Sequence, residues 1–137
     1  MKNKSIYTFI FLLFLIFPAG LTADTRDFEI DYHWLTMKDG VKLSVTYFKP
    51  LPEKESETFP VLLELLPYRK DDYFYMRDYP LYSYFARQGY VIAKVDVRGT
   101  GSSNGRVPPR EYSEAELTDA VEIIRQLSEA PWSNGNV

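Results

Sequence analysis

The chain has 137 residues, one histidine, no cysteine and a formal net charge of −3. Its length allows one domain at most, and the missing cysteine excludes disulfides, thiolate metal sites, a cysteine nucleophile and a lipidated cysteine near the N-terminus. A composition 45% hydrophobic and rich in Tyr and Phe is globular, with none of the Lys/Arg clustering that marks a nucleic-acid partner.

At the N-terminus, Lys2 and Lys4 precede an uncharged apolar run, IYTFIFLLFLIF (residues 6–17), and then PAGLTA. A short basic region, an apolar core and small residues at its end make a secretory signal, with cleavage expected after Ala23 and the mature chain at 24–137. The run falls short of the roughly 20 apolar residues of a membrane span. A secreted or periplasmic protein without a stable membrane anchor is therefore expected.

Residues 28–37 carry the aromatic and β-branched side chains of a strand. Asp39-Gly40 is a tight-turn dipeptide, and residues 41–48 alternate as a second strand, so an antiparallel hairpin is expected. The charged, proline-bearing KPLPEKESETFP reads as a surface connection. VLLELL (Val61–Leu66) is nearly continuous apolar sequence, as in a strand covered on both faces, and it stops at Pro67-Tyr68. Beyond a polar, aromatic-rich loop, residues 81–88 read as a short helix closed by Gly89. Residues 90–97 are a further buried strand, followed by a long glycine- and proline-rich loop.

Ser113 opens the clearest helix, with Glu116 at capping-box spacing. Leu117, Ala120, Val121, Ile124 and Leu127 share one face at helical period, with Glu114, Glu122, Arg125 and Glu129 expected in water. Pro131 ends the helix, Trp132-Ser133-Asn134-Gly135 makes a turn, and Val137 reads as the first residue of one more strand. Strands alternating with helices predict an α/β fold, a mostly parallel sheet with helices on its faces.

The segments MKDGVKLSVTYFKP, PVLLELLPYRKDD, GYVIAKVDVRGTGSSNG and EYSEAELTDAVEIIRQLSEAPWSNGNV, in this order, resemble the cocaine-esterase and X-prolyl dipeptidyl peptidase group of serine hydrolases. The likeness runs from about Phe28 to Val137. It implies the N-terminal half of an α/β-hydrolase sheet: an antiparallel hairpin, then parallel strands with covering helices, with Val61–Leu66 lying outside the fourth strand and next to the strand that bears the nucleophile. It also implies cleavage of a small-molecule ester, amide or peptide substrate, in some members after proline, without a cofactor.

GSSNG (101–105) fits G-x-S-x-G letter for letter, the pattern of a nucleophile elbow, which is a sharp turn from strand directly into helix. Here Arg106-Val107-Pro108-Pro109 follows, and the next helix waits until Ser113, so Ser103 is expected to be a decoy. The resemblance places this loop, Asp96 to Gly105, after the fourth strand and puts the true elbow a few residues beyond PWSNG. Chain order in these hydrolases is Ser, then Asp or Glu, then His. All three are therefore expected after Val137, leaving this stretch inactive alone.

His33, in the first strand, stands at the wrong end of that order and reads as an ordinary strand histidine. With no second His and no Cys, a metal site has no support. Tyr68 is the one piece of catalytic equipment. It follows the third strand at its carboxyl end, and the matching tyrosine of the family donates its hydroxyl to the oxyanion of the tetrahedral intermediate.

Asp96 and Arg98 are expected to tie the strand end to a loop that needs Gly99, Gly101 and Gly105. Arg69, Lys70, Asp71 and Asp72 read as solvated loop, and the aromatic cluster from Tyr73 to Phe85 as packing beneath it. Two other functions fit less well: a non-catalytic secreted binding module that keeps the half-fold and a Tyr68 pocket, and an oxidoreductase on the glycine loop, whose G-x-G-x-x-x-G spacing is off the dinucleotide pattern.

Overall fold

In a computed structural model of the chain, residues 26–72 and 75–137 are described, and the expected signal segment at 1–23 lies outside them. Two strands, β1 (Phe28–Thr36) and β2 (Lys42–Pro50), form the predicted antiparallel hairpin. The turn closes with Met37 N–H donating to Val41 C=O at 2.8 Å. Gly40 sits at φ +83°, a left-handed conformation that glycine adopts without a Cβ clash.

The other two strands, β3 (Val61–Leu66) and β4 (Val91–Asp96), complete a sheet of order β1-β2-β4-β3. β3 pairs with β4 in parallel, while β2 lies antiparallel against β4. The sheet is therefore mixed rather than mostly parallel, because the hairpin supplies half of its strands. Burial follows position: every residue of the central β4 is buried, whereas β3, at the edge, is only half covered.

Helices flank the sheet. One face carries Leu43, Val45, Tyr47, Ala93 and Val95 and is closed by Ile123 and Leu127 of α2 (Glu114–Ser128), and the other carries Phe48 and Ile92 beneath Tyr82 and Ala86 of α1 (Tyr75–Arg87). α1 begins six residues before the position expected from sequence, with Pro80 inside it. Proline removes one helical hydrogen bond. Contacts hold the preceding turn regardless: Tyr79 meets the rings of Phe28 and Phe48, and Asp78 pairs with Lys94.

The capping box of α2 is formed as predicted. Ser113 Oγ accepts the Glu116 N–H at 3.3 Å, and Glu116 Oε2 accepts the Ser113 N–H at 2.9 Å. The inward stripe, however, overlaps the expected one only in part. Leu127 is buried as expected and Ala120 half-buried, but Ile123, Asp119 and Glu122 are buried too, whereas Leu117, Val121 and Ile124 are 58%, 66% and 44% exposed. Glu122, expected in water, lies inside because Arg125 and Gln126 satisfy its carboxylate at 2.6 and 2.9 Å.

Hydrogen bonds from Arg125, then from Gln126, hold the Glu122 carboxyl down to about 2, against 4.5 for the free side chain. A depressed folded pKa gives stability that is present above pH 4.5 and lost as pH falls toward 2. Urea midpoints measured across that window should fall with acid, and the fall should be shallower in Glu122→Gln.

Past α2 the chain returns to the sheet. Phe59 N–H donates to Trp132 C=O (2.9 Å), Asn134 N–H to Phe59 C=O (3.0 Å) and Val61 N–H to Asn136 C=O (2.9 Å). This is parallel bonding on the side of β3 away from β4, and it begins at Trp132, ahead of Val137, the residue expected to open a strand. Alternation along β3 then turns the N–H and C=O groups of Leu63 and Leu65 toward the same side, where no further strand lies among the described residues.

Candidate active site

The carboxyl ends of β3 and β4 carry the loops expected to matter. Pro67 and Tyr68 leave β3 directly, and Tyr68 is 69% exposed; among the described residues no hydrogen bond engages its hydroxyl. The phenol stands beside a cavity of about 300 Å³ lined chiefly by apolar groups, including Leu65, Val97, Ala120 and Ile123, with Tyr112 alongside. Arg98, Glu111, Glu116 and Asp119 also contribute to its wall, so a free hydroxyl, an apolar surface and charged groups meet there.

The backbone around Tyr68 is fixed from β4. Asp96, the last residue of that strand, is 1% exposed. Its Oδ1 accepts the Lys70 N–H at 2.6 Å, and its Oδ2 accepts the Ser102 N–H at 2.9 Å. Gly101 wraps the carboxylate so closely that a Cβ there would stand 2.1 Å from Asp96 Oδ2. Glycine at this position is a packing requirement.

Ser103 uses its hydroxyl structurally. Oγ donates to the Asp96 carbonyl at 2.7 Å and accepts the Ser44 N–H at 2.8 Å, which pins the loop to β2. No helix follows it before Ser113, so the geometry is that of a strut and not of an elbow. Ser103→Ala should lower stability by about 1–2 kcal/mol, since a largely buried N–H and C=O lose their partner. Any hydrolysis by the protein should persist, and urea unfolding paired with an ester assay checks both.

Arg98 does not tie the glycine loop as expected. Its guanidinium grips Asp119 of α2 through Nε and Nη2, both at 2.7 Å, and reaches Asp39 of the hairpin turn at 2.8 Å. These two partners push its pKa up further. Arg98 thus clamps α2 and the hairpin to the end of β4.

Within the basic-acidic run after Tyr68, Arg69, Asp71 and Asp72 are exposed as expected, but Lys70 is buried. Its ammonium pairs with Asp71 and lies 5.7 Å above the Tyr32 ring. The expected aromatic packing is realised in part. Tyr82 is buried and Phe85 partly so, Tyr84 faces solvent, and residues 73 and 74 lie outside the description.

Sequence reading missed a polar row beneath α1. Strand register aligns Tyr32, Thr46, Lys94 and Glu64 across all four strands. From above, Asp78 Oδ2 stands 3.3 Å from Lys94 Nζ, and the Tyr82 hydroxyl donates to Glu64. Burial and then the Glu64 carboxylate raise the Tyr82 phenol above its ordinary range. The signal was there: one lone acid and one lone base, each in the middle of an apolar strand. His33 is exposed on β1, with Nε2 3.2 Å from Asp31, which agrees with an ordinary strand position.

Known proteins resemble this assembly. A family model described as X-Pro dipeptidyl-peptidase (S15 family) matches residues 39–137. The cocaine esterase of Rhodococcus sp. is 34% identical over 102 residues, which cover 74% of this chain and 17% of that protein. Among solved structures, a CocE/NonD family hydrolase from Staphylococcus aureus superposes with a TM-score of 0.65 at 26% identity, over 80% of this chain and 22% of that one. An alpha-amino acid ester hydrolase does so with a TM-score of 0.58 at 25% identity, over 88% and 23%. The chain therefore spans about a fifth of the length of these relatives. Hairpin, edge-placed β3 and the two covering helices are thus a part of a hydrolase fold, and the chain belongs to the X-Pro dipeptidyl-peptidase (S15) family.

Proposed function

We propose that the whole protein is an exported serine hydrolase of ester, amide or X-Pro peptide bonds, in which this chain supplies the sheet frame and one oxyanion donor. The observation that carries the proposal is the exposed Tyr68 phenol at the carboxyl end of β3, beside an apolar recess and engaged by no other described group. Attack of a serine on the substrate carbonyl moves a full charge onto its oxygen. A phenol O–H aimed at that position stabilises the charge as it forms, and a backbone N–H beside the nucleophile would be the second donor.

The nucleophile, its acid and its base belong by family resemblance to sequence following the stretch Trp132–Asn136, which already runs beside the start of β3. Export rests on the basic and apolar leader at 1–23. The whole protein should hydrolyse a p-nitrophenyl acyl ester, an X-Pro p-nitroanilide or both. A folded preparation that turns over neither would overturn the reading.

A further inference from the structure

We propose that Asp96, together with the left-handed turn at Arg69, is a positioning device for the Tyr68 phenol. This inference rests on Tyr68 being the oxyanion donor. Asp96 is 1% exposed and cannot meet a substrate, so whatever it contributes to the reaction acts through another group.

That group is defined by the connections on either side of Tyr68. On its N-terminal side, the Leu66 carbonyl accepts the Val97 N–H at 3.0 Å, with the Thr100 hydroxyl at 3.4 Å. On its C-terminal side, the Lys70 N–H donates to Asp96 at 2.6 Å. Three residues separate these anchors, and both anchors belong to the end of β4 and its loop.

Between them Arg69 stands at φ +50°, a conformation uncommon for a residue with a side chain, and its carbonyl accepts the Asp72 N–H at 3.2 Å. Strain of this kind persists where the surroundings over-determine the backbone, and it gathers at sites that need a fixed geometry. The remaining Asp96 oxygen holds Ser102, so one buried carboxylate joins the glycine loop to the tyrosine loop. The glycine motif thereby acquires a purpose: Gly101 lets the chain close over Asp96, and Asp96 in turn anchors the backbone from which the phenol projects.

A donor must sit close to hydrogen-bond distance from the developing charge, and misplacement of about 1 Å can cost ~100-fold in rate. Asp96→Asn keeps the shape but turns an amide N–H toward one of the two backbone donors. We expect kcat to fall by about tenfold or more with KM nearly unchanged, since the ground-state recess is intact. In a Tyr68→Phe background the same substitution should change kcat by less than about twofold, because the donor it positions is gone.

Hydrogen exchange of the Lys70 and Ser102 amides should quicken in Asp96→Asn while that of Ala93 in β4 holds. A loss of kcat that is equal with and without the Tyr68 hydroxyl, or unaltered exchange at Lys70, overturns the proposal. Should Asp96→Asn fail to fold, Arg69→Gly serves. It relieves the strain and frees the loop, so kcat should drop by several-fold with undiminished thermal stability, again only when Tyr68 is present; unchanged kcat would overturn the proposal. If the unsubstituted protein hydrolyses nothing, the reading of function falls, and amide exchange alone decides whether the clamp exists.

Discussion

Tyr68→Phe is expected to lower kcat of the whole protein by about 10²–10³-fold while leaving KM within a few-fold, the size of effect seen when one oxyanion donor is removed. Only the hydroxyl is deleted, and among the described residues it has no structural partner to lose. Stability should therefore stay within about 0.5 kcal/mol, as for an exposed substitution. The split between kcat and KM is the informative part. A donor used mainly in the transition state lowers kcat, whereas one that merely binds substrate raises KM. Steady-state kinetics on one ester, with a urea titration as control, decides between the two.

Arg98→Met should be the most damaging single change to the fold. It strips the bidentate partner from Asp119, which is buried in α2, and the second contact to Asp39 in the hairpin turn. An uncompensated buried carboxylate typically costs about 3–5 kcal/mol, and replacement of both members by apolar residues recovers much of it. The double substitution Arg98→Met with Asp119→Leu should accordingly be more stable than Arg98→Met alone, as read by urea midpoints. If the single variant unfolds at the native midpoint, the clamp between β4, α2 and the hairpin contributes nothing.

The sequence was most readable where local chemistry and tertiary context agree. Asp39-Gly40 set the hairpin turn, VLLELL gave β3 to the residue, and Ser113 with Glu116 marked the start of α2. It was least readable where tertiary contacts override local preference. The helix expected over residues 81–88 begins at Tyr75 and runs through Pro80, carried back by the packing of Tyr79 and Asp78 on the sheet.

On α2, two overlapping apolar stripes compete. The periodicity pointed to Leu117, Ala120, Val121, Ile124 and Leu127; Leu127 does face the sheet, but beside it stands Ile123, whereas Leu117, Val121 and Ile124 are exposed. Arg98 and Arg125 neutralise Asp119 and Glu122, which lets an acid-bearing face pack on the sheet. Charge partners distant in sequence cannot be read from hydrophobic period.

For the site, family likeness singled out Tyr68, and the structure shows its phenol open beside the recess. The support beneath it was harder to foresee. Asp96 and the glycine loop were assigned to each other, but the bond from Asp96 to the Lys70 N–H joins residues 26 apart in sequence and involves a backbone group with no sequence signature.

The chain belongs to a hydrolase family, and as proposed above the nucleophile of the whole protein is not Ser103. Labelling the whole protein with a fluorophosphonate and locating the adduct by peptide mass spectrometry tests it most directly. A single modified serine following Val137 is expected, with Ser103 unlabelled. An adduct on Ser103, abolished by Ser103→Ala together with hydrolysis, would contradict it.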